Sequence, residues 1–171
     1  MSTDVLKRTY LFLLFLVAQL VVLGGTHLFN CATPLLYVYF STLFPRNYPK
    51  WASLVWSFLL GLSIDIFSNT PGVAAASLTL IAAIQPYYLV IFLSRDAVEN
   101  LEPSLSSLGP LKYSAYVVAL VLLYCLVFYS LEMFTFFHLL HWAMCVGGST
   151  LLTLALIFTF EIARSRTNER P

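Results

Sequence analysis

A chain of 171 residues that is 60% hydrophobic, only 10% charged and +1 in net charge cannot cover a water-soluble surface with polar groups, so its solvent is lipid. The length leaves room for one compact helical bundle and no separate catalytic domain. The basic residues are scattered through short loops, which excludes a nucleic-acid groove and fits contact with the anionic headgroups of membrane lipids.

The first apolar run, Tyr10 to about Leu28, is long enough to span a hydrocarbon core and follows Lys7 and Arg8. A basic start before an apolar stretch, with Gly24 and Gly25 behind it, also describes a secretory signal; the length favours an uncleaved anchor. The second run, Pro34 to Phe44, is about 11 residues where about 20 are needed. Charge arbitrates. If this run crosses, all nine Lys and Arg residues lie on one side in a six-crossing bundle; if it does not, seven face two. Six crossings are therefore expected, the second tilted, locally thinned or partly re-entrant, with both termini cytoplasmic. The five-crossing arrangement is the alternative.

Trp51 to Phe67 and Gly72 to Leu93 are the third and fourth crossings, joined by the turn Ser68-Asn69-Thr70-Pro71-Gly72. Thr70 is expected to cap the fourth helix and Pro71 to take its first position. Tyr113 to Ser130 and Phe136 to Phe160 supply the fifth and sixth, the last long enough to tilt. In the loop from 94 to 112, Val98, Leu101, Leu105 and Leu108 recur at helical spacing beside Asp96, Glu99 and Glu102. Such a segment can lie along the inner membrane surface, limited to short pieces by Pro103. The basic tail follows, from 161 to 171. Tyr48, Trp51, Tyr87, Tyr88, Tyr113 and Tyr116 are expected as an aromatic belt at the inner interface.

Ser53, Ser57, Gly61 and Asp65 recur every four residues on the third crossing, a ridge of small side chains ending in a carboxylate. Gly72, Ala75, Ala76, Thr79, Ala82 and Ala83 offer the matching surface on the fourth, since small residues let membrane helices approach closely. A carboxylate within a membrane helix costs about 2.5–3.5 kcal/mol at the bilayer centre, so Asp65 needs a partner or an interfacial position. The plain reading puts it at the outer interface, bonded to turn donors such as Ser68 or Asn69; the sharper one gives it a partner-binding or ion-coupling role. Gln85 and Pro86 read as structural: Pro86 frees a carbonyl and kinks the helix, and Gln85 can hydrogen-bond that carbonyl or a neighbour.

His138 and His141, with Glu132 and Asp65, are the one grouping with metal-ligand chemistry, but paired His without a third ligand in register reads more simply as interfacial hydrogen bonding. Cys31, Cys125 and Cys145 stand singly and read as small buried hydrophobes. There is no phosphate-binding Gly-rich loop, no His-Glu-x-x-His and no nucleophile elbow. No enzymatic activity, cofactor or metal is expected. A pump would bury several ionisable groups at mid-depth.

The stretch from Pro34 to Phe67, with its Pro-led short apolar run, Phe44-Pro45-Arg46, Gly61-Leu-Ser-Ile-Asp65-Ile-Phe-Ser68 and then Pro71-Gly72 before an Ala-rich crossing, resembles the rod shape-determining MreD family. The resemblance implies a non-enzymatic bacterial inner-membrane scaffold that joins the bitopic protein MreC. It also implies coupling of the MreB filament to the glycosyltransferase and transpeptidase of cell elongation. By the same resemblance, the fold is a six-helix bundle similar to the substrate-binding subunits of energy-coupling vitamin transporters. Those subunits supply the alternative function, small-molecule binding for uptake. Their pockets draw polar side chains from outer loops, and the outer loops here are short and nearly uncharged.

Overall fold

A computed structural model of the chain describes residues 2–25, 33–45, 47–92, 103, 108–133 and 139–168, without the side chains of 2–5, 22–25, 139 and 164–168. Every regular element among them is helical: α1 (Ser2–Gly25), α2 (Val38–Thr42), α3 (Lys50–Ser68), α4 (Val73–Phe92), α5 (Pro110–Met133) and α6 (Leu139–Asn168). Stretches within α3, α4, α5 and α6 are long and apolar enough to cross a membrane. Large apolar side chains such as Leu6, Val21, Ile66, Ile91, Leu111 and Leu151 point outward. The chain is thus a helical membrane bundle. Its α6 has 30 residues, about 45 Å at the helical rise against a core of about 30 Å.

Paired side chains fix the relative directions of the helices. Phe12 meets Trp56 and Arg8 meets Tyr48, so α1 and α3 run together. Gln85 bonds Tyr116, and Tyr129 bonds Ser149, so α4 runs against α5 and α5 against α6. We call the end where α1, α3 and α5 begin basal, and the end with the α3–α4 turn apical.

The run from Pro34 to Phe44 is buried on every side. Its helix, α2, has five residues, about 7.5 Å of rise. The remainder is turn and extended chain. Even so, the segment descends much of the bundle. Thr33 bonds Tyr129 of α5, Tyr37 bonds Tyr124, and the carbonyl of Thr42 accepts from Tyr116; from Tyr129 to Tyr116 is about 20 Å along a helix. The second apolar run is therefore a buried strap and not a lipid-facing helix. Irregular backbone is tolerated at membrane depth only where protein surrounds it, which is the case here.

Seven backbone groups of the strap bond side chains from the surrounding helices. Ser149 and Thr153 of α6 accept from the amides of Thr33 and Leu35. Gln19 of α1 donates to the carbonyl of Pro34 and accepts from the amide of Leu36. At the basal end, three successive carbonyls are held by three helices: Thr42 by Tyr116, Leu43 by Arg8 and Phe44 by Gln85. The strap's rings fill the centre, with Phe40 meeting Phe12, Phe15 and Phe44.

Candidate functional site

The tightest helix pair is the α3–α4 hairpin, and Gly61 is the reason. A Cβ at Gly61 would stand 2.5 Å from the Cα and 2.7 Å from the amide of Ala75, and 2.8 Å from the carbonyl of Ala74. Backbone thus meets backbone, as small residues permit in membranes. One turn further on, Asp65 is 4% exposed. Its Oδ1 accepts from the amide of Ala74 at 2.9 Å and the Thr70 hydroxyl at 3.0 Å, and its Oδ2 accepts from the amide of Ala75 at 2.8 Å. These amides belong to the first turn of α4, where N–H groups lack intrahelical partners and the helix dipole favours a negative charge. The Asp65 carbonyl also accepts from the amides of Asn69 and Thr70, closing α3. One residue ends one helix and caps the next.

Several sequence expectations are corrected at this hairpin. Thr70 does not cap α4 with its own side chain; its hydroxyl goes to Asp65, and Pro71 lies in the turn before a helix that begins at Val73. Ser68 and Asn69 side chains are not the donors to Asp65. Gly72 is exposed at φ 82°, shaping the turn with nothing within 4 Å of where a Cβ would stand. Ala76 is exposed, because at about 100° per residue it has rotated off the face that Ala74 and Ala75 turn towards α3. Along α3, Ser57 shares a hydrogen bond with Ser41 of the strap, and Ser53 donates to the carbonyl of Lys50. The four-residue row therefore divides between two neighbours, the strap at Ser57 and α4 at Gly61.

A second polar cluster joins the strap to α6. Tyr39 donates to the carboxylate of Glu161, and the Tyr113 hydroxyl lies beside both, buried and without hydrogen-bond geometry to any described residue. Tyr113 and Tyr116, expected in an interfacial belt, are buried core residues, while Trp51 and Tyr87 are exposed and Tyr48 and Tyr88 half-buried. Of the two partners expected for Gln85, the carbonyl freed by Pro86 or a neighbour, it takes neighbours. Its amide donates to the carbonyl of Phe44 at 3.1 Å and to the Tyr116 hydroxyl at 3.0 Å.

Sequence reading missed Gln19, Tyr37, Tyr39, Tyr124 and Glu161. The available signal was a run of hydroxyl and amide groups within apolar stretches, which in lipid need partners. Among the described residues no three of His, Cys, Asp and Glu gather as a metal site. Cys125 and Cys145 are buried and free of disulfides. His138, Cys31 and most of the amphipathic loop at 94–107 lie outside the described residues. No family model, curated protein or solved structure matches the chain.

Proposed function

We propose that this chain is a non-enzymatic scaffold of the MreD type in the bacterial inner membrane. In this reading it binds an MreC-like bitopic protein and helps couple the MreB filament to the peptidoglycan-synthesising enzymes of elongation. The observation that carries the reading is where the resemblance falls. The residues that resemble the family, Pro34 to Phe44 and Gly61 to Pro71-Gly72, are those that build the strap and the hairpin lock. Their buried polar groups are used on the chain's own backbone: Asp65 on Ala74 and Ala75, Gln85 on Phe44, Gln19 on Pro34 and Leu36. Such use supports a frame that presents surfaces and not a reaction centre.

In the same reading the basal end is cytoplasmic, so that the strap takes the place of a second crossing and both termini face inward. Asp65 then serves partner binding indirectly, by fixing the apical ends of α3 and α4, where Ile66 and Phe67 are exposed.

The test is complementation. In a rod-shaped bacterium depleted of its own MreD, this chain should restore rods and co-purify with MreC. Reporters after Pro171 and near Lys50 should read as cytoplasmic, and one at Asn69 as external. Spherical cells with normal chain levels, together with saturable vitamin binding by the purified protein, would replace the scaffold with the uptake subunit.

A further inference from the structure

The basal end of the α3–α4 hairpin carries side chains that the interior does not use. Lys50, the first residue of α3, holds its ammonium 4.5 Å above the ring of Tyr87, and donates to the Tyr87 hydroxyl at 3.3 Å. Trp51 and Tyr87 are 72% and 65% exposed. A cation held on one amphipathic ring, with a second exposed ring at the next position of the chain, therefore lies on the outside of the bundle where the apolar stretch of α3 begins. An unanchored lysine is a mobile point charge on a long stem, whereas one held over an aromatic face is confined before any ligand arrives. Among the described residues, the other exposed charges at this end are Lys7 and Lys112, and the carboxylate of Glu161 is buried against the strap.

We infer that Lys50, Trp51 and Tyr87 form a seat for the phosphate of an anionic membrane lipid. The ammonium of Lys50 meets the phosphate oxygens. The Tyr87 hydroxyl, which accepts from Lys50, keeps its own hydrogen to donate to the same phosphate. Trp51 and Tyr87 place their rings at headgroup level, where such side chains are most comfortable. The inference rests on α3 and α4 spanning a membrane and is independent of the scaffold reading. It differs from general attraction of basic loops to anionic lipid because it names one lysine and the ring that holds it.

The full chain in nanodiscs of phosphatidylcholine doped with phosphatidylglycerol provides the test, with retained lipid counted by native mass spectrometry. Phosphatidylglycerol should be enriched several-fold over phosphatidylcholine. Lys50→Gln and Tyr87→Leu should each reduce that enrichment several-fold, and the double variant should lose no more than the worse single one. Tyr87→Phe, which keeps the ring and removes the hydroxyl, should fall between. Lys112→Gln, which changes an exposed lysine with no aromatic partner among the described residues, should leave enrichment unchanged. Equal loss from Lys112→Gln and Lys50→Gln would reduce the seat to diffuse charge, and displacement of the lipid by millimolar inorganic phosphate would make it a free-anion site. Either result overturns the inference, as does full enrichment in Lys50→Gln.

Discussion

Gly61 and Ala75 bring the backbones of two membrane helices into direct contact, at a separation that leaves no room for a methyl group on Gly61. Because the obstructing atoms are main chain, rotamer changes cannot relieve the clash. Overpacking of this kind typically costs about 1–3 kcal/mol, so Gly61→Ala should lower the thermal midpoint in detergent by several degrees. Gly61→Leu should prevent the hairpin from closing. An unchanged melting curve for Gly61→Ala would mean that the two helices do not approach this closely.

Asp65→Asn is a harsher change than its size suggests. Both carboxylate oxygens accept backbone hydrogens, whereas an amide offers one acceptor and turns donors towards one of the two N–H groups. Leaving a buried donor unsatisfied costs about 1–3 kcal/mol. Asp65→Asn should therefore destabilise the purified protein and lower its level in membranes, before any partner is considered. Asp65→Asn with native stability but lost partner binding would restore a direct contact role for the carboxylate.

The Tyr39–Glu161 bond ties the strap to α6. Glu161→Gln retains an acceptor and should be tolerated, while Glu161→Leu removes the carboxylate to which the Tyr39 hydroxyl donates and should cost about 1–3 kcal/mol. In a double-mutant cycle, Tyr39→Phe combined with Glu161→Leu should cost less than the sum of the two, since the bond they share is lost only once. Strict additivity, read from unfolding in denaturing detergent, would show that the pair does not interact.

Gln85 and Pro86 are neighbours with opposite expectations. Gln85→Leu leaves the Phe44 carbonyl and the Tyr116 hydroxyl short of a donor deep in the bundle, so it should lose about 1–3 kcal/mol. Pro86→Ala restores a backbone amide to α4 and should leave stability level or raised. Equivalent losses from both would point to the kink as the required feature.

Much of the helical framework was legible because a lipid-exposed helix writes a long apolar run: the runs assigned to α3, α4 and α5 lie within about three residues of the helix bounds, while α6 continues past Phe160 to Asn168. The strap was not. An apolar run of 11 residues reads alike whether it faces lipid or is enclosed by helices, and only the polar residues that enclose it, distant in sequence, distinguish the two. The same blindness affected Tyr113 and Tyr116: tyrosines near a helix start suit an interface, yet here both are buried, and the Tyr116 hydroxyl bonds the carbonyl of Thr42 and the side-chain amide of Gln85. At the hairpin, the close approach of small residues could be read from Gly61. The partners of Asp65 could not, because a helix N-terminus advertises its unpaired amides through geometry and not through residue type.

The strap also imposes a schedule on synthesis. Its amides at Thr33 and Leu35 and its hydroxyl at Tyr39 are answered by Ser149, Thr153 and Glu161, 116 to 122 residues later in the chain. At a translation rate of about 5–20 residues per second, those answers emerge on the order of ten seconds after the strap has left the ribosome. For that interval the segment has apolar side chains that favour lipid and backbone groups that lipid cannot satisfy. It must wait at the water boundary or in the shelter of the insertion machinery, and a chain truncated before α6 would never release it.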